Sequence, residues 1–217
     1  MFVGHYSASF AAKAADPRLR LGPLFLAAQL VDILWATFVL TGVEHVRLVP
    51  GYTATNQLDL YDMPYTHSLA GAAAWALLAV IVWGAARNWR GWRGSALLVG
   101  AVVLSHWFLD LPVHTADLPL YDSHYKMGLG LWNYPYVTLA LEGGLLLGSV
   151  ALYYRATHAV RRGQRWGMLL FALTMIGVQV GMLFAPPPET PAQFALMALA
   201  AYAVLAVIAE WFDRKRA

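Results

Sequence analysis

Six apolar runs, each close to the length of a membrane-spanning helix, constrain this chain more than any other feature. They cover about 22–42, 67–86, 95–113, 136–155, 166–185 and 193–211, and a spanning helix needs ~20 apolar residues. With 59% hydrophobic and 12% charged residues, the composition excludes an ordinary soluble domain. The sequence therefore predicts an all-α integral membrane protein with six transmembrane helices, forming a single domain over residues 1–217.

The basic residues predict how the chain is oriented in the membrane. Thirteen of the 15 Lys and Arg residues lie before the first run, after the second, after the fourth or after the last. Because positive loops stay in the cytoplasm, both termini are expected there, and the loops 43–66, 114–135 and 186–192 are expected outside. The net charge of +3 reflects this bias and does not indicate a nucleic-acid partner. The absence of cysteine excludes thiolate ligands and disulfides.

Ionisable side chains are costly in hydrocarbon, and here they are concentrated in the first four runs: Asp32, His67, His106, Asp110 and Glu142. The later runs are nearly apolar. Residues 1–155 are therefore predicted to form the site, and residues 156–217 to form a scaffold. Two GxxxG spacings predict close helix packing, within the chain or between copies in a homo-oligomer, at Gly144/Gly148 and Gly177/Gly181.

The spacing of His106 and Asp110 is the strongest local signal for a site. Residues four apart on an α-helix share one face and are separated by a rise of ~6 Å, so both side chains can bind one ion. His114 continues this spacing, but Pro112 predicts a kink or a helix end. His114 is therefore a second-rank candidate, together with two residues of the following loop, Asp117 and His124.

The amino-terminal segment is too short to span the membrane but can enter it. If Lys13–Arg20 marks the cytoplasmic surface, residues 1–14 form a half-helix that runs up beside the first span. His5 then stands ~12 Å above the surface and Asp32 ~18 Å above it. Both approach the midplane, where His106 also lies, so the sequence predicts that these side chains converge.

Imidazole and carboxylate groups together suit zinc first, with iron or manganese as alternatives. The predicted metal ligands are His5, Asp32, His67, His106 and Asp110. The predicted catalytic residues are Asp32 and Glu142, with Glu142 as either a ligand or a general base. The corresponding chemistry is the attack of metal-activated water on an ester or phosphoester.

Other interpretations use the same residues. Each side chain can instead have a structural role, as a hydrogen-bonded helix contact, an interfacial polar residue or a helix cap. The chain can be a proton-coupled transporter or relay in which these groups titrate, or an assembly subunit with a structural metal site or none. Because the polar groups cluster from the midplane outward, they favour a pocket that opens to the outer side over a conduit.

The order of these residues resembles a known family. His5, Asp32, "YTHSLAG" around His67, and "LSHWFLDL" around His106 and Asp110 are similar to motifs of the bacterial inner-membrane-associated metal-dependent hydrolases, some of which carry the name LexA-binding. The resemblance covers about residues 1–115. The His-x-x-x-Asp motif matches in full; the other three motifs match at one ligand position each, with Leu34 in place of a second Asp and no leading His-Arg-Gly before His67. The resemblance implies a hydrolase of the bacterial inner membrane.

A looser similarity in ligand order links that family to zinc-dependent phospholipase C. This similarity implies that the substrate is a phosphoester in a lipid headgroup. Membrane lipids, and a lipid or another small molecule as substrate, are accordingly the expected partners.

Overall fold

Helices make up most of the fold. The computed structural model describes residues 1–87, 93–159 and 166–214. A short 3₁₀ turn, Val3–His5, is followed by α1 (Tyr6–Ala15), α2 (Leu21–Ala28), α3 (Leu30–Thr41), β1 (His45–Leu48), β2 (Leu58–Asp62), α4 (Leu69–Ala86), α5 (Arg93–Val113), α6 (Pro135–Ala156), α7 (Gly167–Met182) and α8 (Pro191–Asp213). The structure therefore agrees with the predicted all-α class, apart from one pair of short strands.

Helices α4, α5, α6 and α8 are each long and apolar enough to cross a membrane, and α2 with α3 forms a fifth candidate span. Helix α7 is also apolar but has only 16 residues. The exposed surface of these helices is apolar enough to contact lipid. For example, α4 has a mean hydropathy of 2.0, and only 17% of it is buried. Exposed Leu77, Ile81 and Val82 lie on this helix, and such large apolar surfaces are rare on soluble monomers. The protein is thus membrane-embedded, while the count of six spans and the side of the termini stay predictions.

The span that contains α2 and α3 is broken at Gln29. The two helices meet at an angle of 55°, and Asp32 lies in the first turn of α3. The amino end of a helix carries partial positive charge, which stabilises a carboxylate there. The carbonyl groups in the last turn of α2 lack partners within the helix. The break therefore brings Asp32 into the bundle at a helix start and leaves the oxygen of Ala28 for a partner outside α2, which is His106 Nδ1 at 2.8 Å.

Helix α1 is the predicted amino-terminal half-helix, and it lies inside the bundle. Tyr6 and Phe10 are fully buried, and α1 packs mainly against α6 and α2. At its lower end, Lys13 Nζ donates to the oxygen of Pro17 at 2.8 Å and lies 3.2 Å from an Asp213 carboxylate oxygen. This ion pair ties the half-helix to the end of α8.

Two apolar clusters enclose the middle of α5. Val102 belongs to one cluster and Trp107 to the other, so His106 lies where they meet. The first cluster also contains Phe10, Phe25, Leu146 and Tyr153, and the second contains Trp35, Met63 and Leu118.

The segment 43–66, which the sequence predicts as an outer loop, contains an antiparallel hairpin. Strand β1 pairs with β2, with His45 opposite Asp62 and an irregularity before Arg47. The His45 Nδ1 atom lies 2.7 Å from a carboxylate oxygen of Asp62. The strands have four and five residues, which is too short for a clear alternation of apolar and polar positions.

Helix α5 ends one residue after Pro112, which agrees with the predicted helix end. The loop segment 128–130 donates main-chain hydrogen bonds of 2.9 Å to the oxygen of Leu111 and 2.6 Å to that of His114. A Cβ atom at Gly128 would lie 1.7 Å from a main-chain oxygen, so only glycine permits this approach. These bonds give the carbonyl groups at the end of α5 hydrogen-bond partners and hold His114 in place.

The GxxxG glycines do not make close helix contacts within the part of the chain that the structure describes. A Cβ atom built at any of them meets nothing within 4 Å: Gly144, Gly148, Gly177 and Gly181. The expectation of close packing within the chain is therefore wrong for the described residues. Packing between copies stays a prediction.

Candidate metal centre

Six ionisable side chains from separate parts of the chain meet in the bundle. His5 comes from the 3₁₀ turn, Asp32 from the first turn of α3, and His67 from the segment just before α4. Helix α5 supplies the rest of the set, which is His106, Asp110 and, one residue beyond the helix, His114. All five predicted ligands thus lie together, and the second-rank candidate His114 joins them.

The Asp110 carboxylate lies at the centre of four imidazole rings. Its Oδ2 atom is 3.2 Å from His106 Nε2, 3.6 Å from His114 Nε2 and 4.0 Å from His67 Nε2. Its Oδ1 atom is 3.1 Å from His5 Nε2. At most 3% of any of these ring and carboxylate side chains is exposed, apart from 4% for His67. Asp110 is therefore the common neighbour of every histidine in the cluster.

Asp32 forms the second carboxylate of the cluster. Its Oδ1 atom lies 3.2 Å from His67 Nε2 and 3.5 Å from His106 Nε2. Its Oδ2 atom accepts a hydrogen bond of 3.1 Å from the hydroxyl of Tyr202 in α8. With 15% of its side chain exposed, Asp32 is the most accessible member of the cluster.

Two groups of three residues bring their ligand atoms within 4.8 Å of one another, as a metal ion requires. One group is His5, Asp32 and His106, and the other is His67, His106 and Asp110. Nitrogen and oxygen donors at this spacing match the ligand types of zinc, and also those of iron and manganese. The predicted divalent transition-metal site is therefore compatible with the donor set in the structure.

The second ring nitrogens of two histidines fix where their protons lie. His106 Nδ1 is 2.8 Å from the main-chain oxygen of Ala28, at the end of α2, and a carbonyl can only accept. His114 Nδ1 is 2.8 Å from a carboxylate oxygen of Asp117. In each neutral ring the proton therefore lies on Nδ1 and a lone pair on Nε2. In that form, the Nε2 lone pairs of both rings face the carboxylate of Asp110.

Three of the seven buried side-chain atoms that lack a hydrogen-bond partner among the described residues belong to the cluster. Of the described side chains, both ring nitrogens of His5 and Nε2 of His106 are buried and lack a hydrogen bond of acceptable geometry. The two rings are stacked, with centroids 3.7 Å apart and planes within 5°. Since buried polar groups are rarely left unpaired, these atoms indicate that the cluster takes an additional group.

The fourth span contributes Glu142, which contacts the main chain of the amino-terminal segment. Its Oε2 atom accepts the N–H groups of Phe2 at 2.8 Å and Gly4 at 3.0 Å. The amino group of Met1 contacts Asp110. Glu142 lies outside both groups of potential ligands, so its observed contacts position the turn that carries His5. Its predicted role as a general base stays a prediction.

The other second-rank candidates have different surroundings. The carboxylate of Asp117 accepts hydrogen bonds from His114 Nδ1 and from the Thr115 hydroxyl, each at 2.8 Å, so it orients a potential ligand. His124 is exposed, with its ring 3.6 Å from Asp122, and it is not among the ligand groups.

Sequence reasoning missed two polar residues that support the cluster. Glu44 follows α3 and bonds to Thr66, next to His67, and Tyr202 lies in a helix assigned to the scaffold. A lone tyrosine in an apolar run usually indicates packing or the membrane interface, so Tyr202 gave no separate signal. Glu44 sits in a polar segment where an acidic residue is unremarkable.

No protein-family model, curated protein or solved structure matches this chain. The resemblance of residues 1–115 to metal-dependent hydrolases therefore stays a prediction from the motifs.

Proposed function

We propose that this chain is a membrane-embedded, metal-dependent hydrolase that acts on an ester or phosphoester, with a lipid headgroup as the first substrate class to test. The proposal includes six spans in the bacterial inner membrane, cytoplasmic termini and a site that opens toward the outer side. The distribution of basic residues and the motif resemblance support these parts.

The observation that carries the proposal is that His106 Nε2 and His114 Nε2 both face the Asp110 carboxylate, while the Nδ1 atom of each ring contacts an acceptor. In the neutral rings, two Nε2 lone pairs then point at a carboxylate. Two electron-rich groups repel each other, and a buried site of low dielectric strengthens that repulsion. A cation between them turns repulsion into attraction. Imidazole nitrogen and carboxylate oxygen are both ligands of zinc, which is the ion we propose, with iron or manganese as alternatives.

When bound, such an ion supplies a Lewis acid and makes water a nucleophile near neutral pH. The chain's own residues hold the ion and orient the donors. Asp32 keeps the predicted catalytic role because its side chain is 15% exposed, against 1% for Asp110. An entering water or ester oxygen therefore meets Asp32 first, and its carboxylate can accept a proton there.

The first test is elemental analysis of detergent-purified protein that carries no affinity-tag histidines. We expect a near-stoichiometric transition metal in the wild type and its loss in His106→Ala. The matched control is His45→Ala, because His45 is half exposed on the hairpin and pairs only with Asp62 among the described carboxylates. Its metal content should equal that of the wild type.

The second test is hydrolysis of fluorogenic phospholipids and of simple phosphate and carboxylate esters. Activity should require the metal, disappear with chelator and be absent in His106→Ala. Metal-free wild-type protein, purified without chelator, would overturn the proposal and favour the proton relay, in which the same groups carry protons.

A further inference from the structure

The carboxylate of Glu44 is buried just before the hairpin, and among the described residues its hydrogen bonds all come from one short segment, Tyr65 and Thr66. Its Oε1 atom accepts the N–H groups of Tyr65 at 2.8 Å and Thr66 at 2.9 Å. Its Oε2 atom accepts the hydroxyl of Thr66 at 2.6 Å. The residue has no exposed surface. A buried carboxylate with three donors fixes the local chain firmly.

The Thr66 hydroxyl connects this carboxylate to the metal centre. A hydroxyl has a single proton, and Thr66 donates it to Glu44. The Thr66 oxygen also lies 2.9 Å from His67 Nδ1, so only the imidazole can supply the proton for that second contact. His67 therefore carries its proton on Nδ1 and directs the Nε2 lone pair toward Asp32, 3.2 Å away.

We propose that Glu44 is a positioning residue that, through Thr66, fixes the ligand tautomer and ring orientation of His67. This inference rests on the proposed metal site. Orienting partners of metal-binding histidines raise metal affinity by holding the lone pair toward the ion. Ala28 and Asp117 accept hydrogen bonds directly from the rings of His106 and His114. Glu44 instead orients His67 through the Thr66 hydroxyl. The residue just before the hairpin therefore supports the centre.

The substitution Glu44→Gln tests the relay with little change in shape. The amide oxygen can keep accepting the two main-chain N–H groups, which leaves the amide N–H₂ group against Thr66. The amide then donates to the Thr66 oxygen, and Thr66 turns its own proton toward His67. His67 Nδ1 becomes an acceptor and its ring proton moves to Nε2, where it blocks metal binding.

Two measurements follow this change. In metal-free protein with ¹⁵N-labelled histidine, we expect the NMR pattern of His67 to change from the Nδ1–H to the Nε2–H tautomer in Glu44→Gln. Zinc affinity, measured by competition with a chromophoric chelator, should fall about 10- to 100-fold. Asp62→Asn is the matched control, an acid-to-amide change on the same hairpin that should alter neither quantity.

Thr66→Ser, which keeps the hydroxyl, should retain the wild-type tautomer and zinc affinity. If Glu44→Gln does not fold, Thr66→Val replaces it as the test variant, because valine lacks the hydroxyl that links Glu44 to His67. An unchanged tautomer and unchanged zinc affinity in the folded variant would overturn the inference. Absence of metal from the wild type would overturn the proposed function instead, while the tautomer of metal-free His67 would still report on the relay.

Discussion

Replacing Asp32 with Asn tests whether the Nε2 atoms of His67 and His106 present lone pairs or protons to this carboxylate. Asp32 Oδ1 lies 3.2 Å from His67 Nε2 and 3.5 Å from His106 Nε2, while Oδ2 accepts from Tyr202. In the variant, the amide N–H₂ group can take the Oδ1 position and donate to both rings. The amide oxygen can keep the bond from Tyr202. If both rings present lone pairs, Asp32→Asn replaces two repulsive contacts with two hydrogen bonds.

The expected effect has opposite signs with and without metal. A net gain of about 1 kcal/mol per hydrogen bond stabilises the metal-free variant by about 2 kcal/mol, which raises the melting temperature by ~4–8 °C for a chain of this size. An ion at 100 times its Kd stabilises the wild type by about 2.7 kcal/mol, and a hundredfold weaker affinity reduces that gain to about 0.4 kcal/mol. The variant should thus melt higher without metal and respond less to it.

The assay is thermal unfolding in detergent, followed by the fluorescence of the nine tryptophans, with chelator or with added zinc. Asp62→Asn is the control and should stay within about 0.5 kcal/mol of the wild type. If the rings instead carried an extra proton, removing one charge of a buried ion pair would destabilise the metal-free protein by about 3–5 kcal/mol. A lower melting temperature of metal-free Asp32→Asn would therefore refute the lone-pair reasoning.

Three further predictions concern the surroundings of the cluster. Tyr202→Phe removes one hydrogen bond to a carboxylate ligand and should weaken zinc binding about tenfold, as measured by chelator competition. Gly128→Ala forces the loop away from the main-chain oxygen of Thr115, 1.7 Å from the new Cβ, and should lower stability by about 1–3 kcal/mol in thermal unfolding. The Arg18 guanidinium, by hydrogen bonding, holds the pKa of Asp16 below its ordinary value, with a contribution from Ser95. A depressed pKa stabilises the fold above the unfolded-state pKa of ~3.9, so the stability difference between wild type and Asp16→Asn, at most about 1 kcal/mol, should shrink as the pH falls from 6 to 3.

The main elements of the site follow from short-range patterns. His106 and Asp110 share a helix face because of their spacing, and the apolar runs define the helices that carry them. The depth of His5 follows from helix rise, since it lies eight residues before Lys13 in a segment with helix-forming residues. Depth along each helix then indicates which side chains can meet.

The supporting contacts depend on tertiary packing that no local pattern encodes. Glu44 reaches Thr66 because a hairpin folds back between them, and its short strands carry little periodic signal. Ala28 supplies a main-chain oxygen, which every residue has, so only the break at Gln29 distinguishes it. Pro112 correctly indicates a helix end, but the position of His114 depends on the distant segment 128–130.

The buried half-helix α1 has a consequence for how the protein is made. Its main packing partner, α6, begins at Pro135, so the ribosome releases α1 long before the surface that covers it exists. A helix of ten residues is too short to cross the bilayer, and its open backbone ends cannot lie in hydrocarbon unless protein surrounds them. The turn that carries His5 therefore reaches its final packing, with Glu142 on the main chain of Phe2 and Gly4, only after α6 has entered the membrane. Biogenesis thus separates insertion of the spans from completion of the cluster.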